Sequence, residues 1–186
     1  MIVGHLGLAA VVRSRWPRAS LYWLLPASVA PDLLDVCMAV AGTCNPYALY
    51  SHTLPAVALL ASIVGGAAYL MAARASPQGT ALPTALGCVI VIALHPLLDF
   101  FTGHKLLWPG GELVGLELYR RPVVDFAIES AIATVGWLML RRSRAVPRWA
   151  SAPAALCALL LLQGAGDFVL GNMKPSACAA SDTPVP

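Results

Sequence analysis

Six apolar stretches joined by short polar links limit what this chain can fold into: about 1–12, 21–42, 54–73, 82–101, 122–140 and 150–170. Crossing the hydrocarbon core of a bilayer takes about 20 apolar residues in a helix, which satisfies its backbone N–H and C=O groups internally. The last five stretches reach that length. The first is short: it crosses only if tilted or extended through Trp16, and is otherwise a half-helix or a re-entrant segment. Charged residues make up 11% of the chain, against about 25% in soluble domains, too little to cover a water-exposed surface. The expectation is an all-α fold, a polytopic transmembrane helix bundle of about five to six membrane segments. It forms a single domain over 1–171, followed by a disordered Ala-, Ser- and Pro-rich tail over 172–186.

The basic residues report topology. Arg13, Arg15, Arg18, Arg74, Arg141, Arg142, Arg144 and Arg148 fall in alternate links, and Lys105, Arg120, Arg121 and Lys174 on the opposite side. The richer side is expected in the cytoplasm, with the chain in the inner (plasma) membrane. Residues 1–12 lack the basic start and cleavage site of a removable signal peptide. The small net charge of +3, spread over short links, is no nucleic-acid footprint. Membrane lipid is the expected partner, with no nucleic acid. Five cysteines without CxxC spacing exclude a zinc knuckle or thioredoxin motif. Cys88 and Cys157 read as packing residues, whereas Cys44 and Cys178 lie outside the apolar runs, where a disulfide between them is an open option.

Against this apolar background, ten of the thirteen acidic and histidine residues sit in or beside membrane segments: His5, Asp32, Asp35, His52, His95, Asp99, His104, Asp125, Glu129 and Asp167. Ionisable groups in lipid are costly, and by default they mark a functional site. On the alternating topology all of them fall toward the extracytoplasmic side. Asp32/Asp35, His95/Asp99 and Asp125/Glu129 are spaced i,i+3 or i,i+4, so each pair shares a helix face. Helix-bundle metal sites are assembled from such pairs, and a cation neutralises carboxylates that would otherwise repel. A structural hydrogen-bond network is the alternative, and the three pairs together with His5 and His52 favour metal. His with Asp suits zinc; a carboxylate-rich set suits manganese or iron. Pro31 and Pro96 adjoin Asp32 and His95; each either kinks a helix or starts a fresh half-helix. The segment 102–121, with Gly103, Pro109, Gly110 and Gly111, reads as a structured loop long enough to form a lid or rim.

The runs Gly4-His5, Pro31-Asp32-Leu33-Leu34-Asp35, Tyr50-Ser51-His52-Thr53, His95-Pro96-Leu97-Leu98-Asp99 and Leu107-Trp108-Pro109 resemble the membrane-bound metal-dependent hydrolases, the YdjM-like group, in order over roughly residues 4–130. The resemblance implies His5, Asp32, His52, His95 and Asp99 as metal ligands, with Glu129 a further acid. The chain departs from the family pattern in carrying Ser-His-Thr in place of Thr-His-Ser, and Tyr47-Ala48-Leu49 where some members carry His-Arg. It also has Thr102-Gly103-His104-Lys105, without the Asp that a closer subgroup has there.

The expected function is that of a membrane-embedded metal-dependent hydrolase acting on a lipid or lipid-linked ester or phosphoester at the outer leaflet. Asp35 and Glu129 are the candidate catalytic acids or bases. His104, Lys105, Trp108 and Arg120 are placed to meet an anionic head group. The alternatives are a proton or divalent-metal transporter or channel, and a structural membrane protein whose metal site stabilises the bundle. A transport pathway needs polar groups in both membrane halves, and their confinement to one side favours the enzyme.

Overall fold

The computed structural model describes residues 2–45, 48–75, 79–143 and 146–172, without side chains for 167–172. Ten α-helices and one short hairpin are present among these residues: α1 (Val3–Arg15), α2 (Leu21–Ser28), α3 (Ala30–Val40), α4 (Leu49–His52), α5 (Leu54–Ala75), α6 (Ala81–Ala93), α7 (His95–Thr102), β1 (Lys105–Leu106), β2 (Leu113–Val114), α8 (Pro122–Arg141), α9 (Arg148–Ser151) and α10 (Pro153–Asn172). Pro31, Pro55, Pro96, Pro122 and Pro153 each occupy the first or second position of a helix. There the missing N–H costs nothing and the fixed φ favours helix.

Among the described residues three helices are long and apolar enough to cross a membrane: α5, α8 and the continuous α6–α7 pair, Ala81–Thr102. The α2–α3 pair makes a fourth if it is counted as one span, broken by a 58° bend. The fold is therefore helical and membrane-type, but the structure supports three or four crossings where five to six segments were expected. α1, the stretch already short in the sequence, stops after 13 residues, about 20 Å of rise against a core of about 30 Å. α10 is 20 residues long, Pro153–Asn172, and apolar over the stretch Pro153–Gly166 whose side chains are described. The prolines divide as the sequence allowed. Pro31 starts a fresh helix after a sharp break, whereas Pro96 sits in a span that continues through it.

Small residues set the helix spacing. Gly7 of α1 faces α8 so closely that a Cβ there would lie 2.7 Å from the Ala133 Cα, and Gly136 faces Gly7 in turn. Such glycines allow backbones to approach where lipid supplies no hydrophobic drive between helices. On the other side Gly65 of α5 admits the Val89 side chain of α6. The buried core between them includes Ala9, Val12, Leu24, Val57, Ala61, Ala68, Val91 and Ile92, with Cys88 packed inside it as expected. Cys157, expected to pack, is exposed on α10. Cys44 is disulfide-bonded; Cys178 and the tail from 173 lie outside the described residues.

The expected loop over 102–121 is a compact cap. Lys105 pairs with Val114 and Leu106 with Leu113, antiparallel, and a 3₁₀ turn follows at Leu118–Arg120. Backbone bonds fasten it to α5 and α7, Leu54 N–H to Leu107 O (2.9 Å) and Leu116 N–H to Phe100 O (2.8 Å), and Glu117 N–H to Gly103 O (3.1 Å) closes it on itself. The cap thus lies where α5 begins and α7 ends.

Candidate metal centre

Four side chains converge beneath this cap. Asp32 comes from the first turn of α3, His52 from the end of α4, His95 from the start of α7, and Asp99 from one turn further along α7. Each stands at or beside an interruption of helix. Irregular backbone at membrane depth is tolerated where protein buries it, and here the interruptions aim side chains from three elements at one point. His52, His95 and Asp99 are buried, and the Asp32 side chain is 25% exposed.

Hydrogen bonds behind the rings fix their tautomers. His95 Nδ1 lies 2.9 Å from the Ser28 carbonyl. A carbonyl only accepts, so Nδ1 carries the proton. His52 Nδ1 lies 2.7 Å from Ser51 Oγ. That hydroxyl donates to Asp35 Oδ1, so it accepts from His52 Nδ1–H. Asn45 completes the arrangement, donating to Asp35 Oδ1 at 2.5 Å and to Ser51 Oγ at 3.0 Å. In a neutral imidazole the second nitrogen then holds a lone pair. The two Nε2 atoms face each other at 3.2 Å.

Carboxylate oxygens fill the remaining corners. His52 Nε2 is 3.0 Å from Asp99 Oδ2 and 3.3 Å from Asp32 Oδ1. His95 Nε2 is 3.5 Å and 3.7 Å from the same two oxygens. Two nitrogens and two oxygens, all acceptors, lie within 4.8 Å of one another. Among the described residues no hydrogen-bond donor serves the buried Asp99 Oδ2 or Asp32 Oδ2. Such a set repels itself unless positive charge occupies its centre. Its spacing suits a small cation: zinc–ligand distances of about 2.0–2.2 Å imply tetrahedral edges of about 3.3–3.6 Å. The donor set therefore fits a metal ion.

The other expected residues are distributed around this cluster. His5 stacks on His95 with ring centroids 3.8 Å apart and places Nε2 3.5 Å from Asp99 Oδ1; it adjoins the four without belonging to their group. Asp35 lies on the far edge of His52, 3.4 Å from Nδ1. Glu129, buried in α8, accepts from the Gly4 N–H at 2.9 Å, and Asp125 is buried one turn earlier. Lys105 reaches within 4.0 Å of Asp35 Oδ2. His104 and Arg120 both engage Glu117, at 2.5 Å and 2.9 Å, and Trp108 is exposed at the cap's tip. The Asp167 side chain lies outside the described residues. Sequence reasoning gave no role to Asn45, Ser51, the Ser28 carbonyl or Glu117. Ser51 stood inside a quoted motif, but Asn45 carries no periodic signal.

A few membrane-crossing helices around a buried Asp/His group that could hold a metal ion define the class: a helical membrane protein with a candidate metal centre. The family model described as YdjM inner membrane protein matches residues 1–167, and the chain belongs to that family. No curated protein and no solved structure matches it.

Proposed function

We propose that the protein is a metal-dependent hydrolase of the inner membrane, acting on a lipid or lipid-linked ester or phosphoester from the extracytoplasmic side. The observation that carries this reading is the meeting of four acceptor atoms with both imidazoles fixed in the ligating tautomer. Asp32, His52, His95 and Asp99 would hold the ion, and zinc best suits their nitrogen–oxygen set. When bound, such an ion supplies Lewis acidity, polarising the scissile group and acidifying a water. Asp32 is the most exposed of the four, with its side chain 25% exposed, and its carboxylate would accept the proton leaving that water. Asp35 serves by holding Ser51 and His52 in register. His5 braces Asp99 and His95, and Glu129 anchors the start of α1 that carries His5. Lys105 places a cation within 4.0 Å of Asp35. The side assignment rests on the arginine-rich links lying away from the cap.

Elemental analysis of detergent-purified protein, wild type against His95→Ala, tests the ion: near-stoichiometric metal in the first and loss in the second is expected. Release of head group or acyl chain from extracted lipids tests the reaction. Should Asp99→Ala leave both metal content and turnover unchanged, the reading fails. Divalent-ion flux in liposomes without hydrolysis would replace it with transport.

A further inference from the structure

An apolar groove of about 570 Å³ runs beside the centre. Leu34 of α3, Leu49 and Tyr50 of α4, Leu59 and Ile63 of α5, and Pro109 at the cap's tip form its walls. Its upper end is built from residues adjoining the cluster in sequence: Leu34 precedes Asp35, and Tyr50 and Thr53 bracket Ser51 and His52. From Pro55 to Ile63 it follows α5 for about 12 Å of helical rise. Leu59 and Ile63 are 63% and 59% exposed on a helix long and apolar enough to cross the membrane. With α5 spanning a bilayer, that lower end would face acyl chains. Lys105 does not line the groove, but its ammonium lies 4.0 Å from Asp35, the residue after the wall residue Leu34. The groove is thus apolar along α5, with the Lys105–Asp35 pair adjoining its Leu34 wall. The second apolar cavity, about 320 Å³ between α1, α2, α8, α9 and α10, touches no residue of the cluster.

We propose that this groove holds one acyl chain of an anionic membrane lipid, whose head group reaches the Asp32–His52–His95–Asp99 centre by lateral entry from the bilayer. The identity of the reacting head rests on the hydrolase reading; occupancy of the groove does not require turnover. Chain length is then read along α5, and Ala56, midway between the polar mouth and Leu59, is the position at which bulk closes the groove.

The full-length protein in vesicles of phosphatidylethanolamine and phosphatidylglycerol, with a trace of phosphatidylglycerol bearing a diazirine near its chain end, tests this by photolabelling and peptide mapping. Label should concentrate on the 49–63 segment. Ala56→Trp should reduce it about tenfold, in keeping with the discrimination a filled hydrophobic pocket provides, while metal content stays as in wild type. Ile63→Trp, at an exposed position that tolerates bulk, should disfavour long chains and spare short ones, so the test does not depend on one variant folding. Label spread evenly over exposed positions of α5, α6 and α8 overturns the proposal. So does a groove that stays unlabelled while Ala56→Trp changes the oligomeric mass in detergent, which would assign it to a second copy of the chain. If no ester or phosphoester is hydrolysed yet label maps to the groove, the hydrolase reading falls and the groove stands. If lipid is hydrolysed equally by wild type and both tryptophan variants, the groove falls and the hydrolase reading stands.

Discussion

The cluster under the cap and the seam between α1 and α8 both bury acids in an apolar bundle, by opposite means. In the seam, glycines bring two backbones together, and Glu129 finds a main-chain donor in Gly4. In the cluster, nearby donors are spent elsewhere: Ser51 and Asn45 serve Asp35, and the His95 Nδ1–H serves Ser28. The acceptor atoms of Asp32, His52, His95 and Asp99 are left facing one another. Glu129 is given a main-chain donor, whereas these four atoms could share a cation.

Substitutions can separate the two regions. The largest effect is expected for Asp99→Ala or His52→Ala, which should abolish stable metal retention in elemental analysis. Both should also remove the rise in thermal midpoint that metal gives the wild type, since an ion bound only to the native state stabilises it by mass action. Gly7→Leu attacks the seam. Overpacking against the α8 backbone should cost at least about 3 kcal/mol, the upper part of the usual range. It should lower the yield of folded protein, and the folded fraction should still bind metal stoichiometrically. Ser51→Ala leaves both carboxylates in place and removes the acceptor for His52 Nδ1–H. Metal affinity should fall about 10- to 100-fold in a competition titration with a chelator, with little change in folding. Glu129→Gln keeps an oxygen for the Gly4 N–H, so denaturation should report a change of only about 0.5–1.5 kcal/mol and metal affinity near wild type. A large loss of metal from Glu129→Gln would join the two regions into one site.

How far the sequence revealed this architecture differs from residue to residue. His95 and Asp99 share a face of α7 and meet in the cluster, as four-residue spacing requires. Asp32 and Asp35 also share a helix, yet they approach opposite edges of the same imidazole. Spacing along α3 specifies a face but carries no information about how His52 is turned. Asp125 and Glu129 looked equivalent to the other pairs, but α8 lies against α1, so Glu129 meets the Gly4 amide. Asn45 reaches Asp35 and Ser51 from outside any helix, where no period exists to betray it. Mean hydropathy likewise runs unbroken through the bend at Val29, because breaking a helix changes its direction and leaves its composition alone.

That bend has a chemical outcome. Ser28 ends α2, and the final carbonyls of any helix lack an internal N–H partner. The oxygen left over there is the one that takes the His95 proton and turns the other ring nitrogen toward the cluster. Had α2 run straight into α3, that carbonyl would have been spent within the helix, and the imidazole would have lost the anchor that keeps its reactive edge bare. A fault in one helix is what makes a nitrogen in another ready to bind.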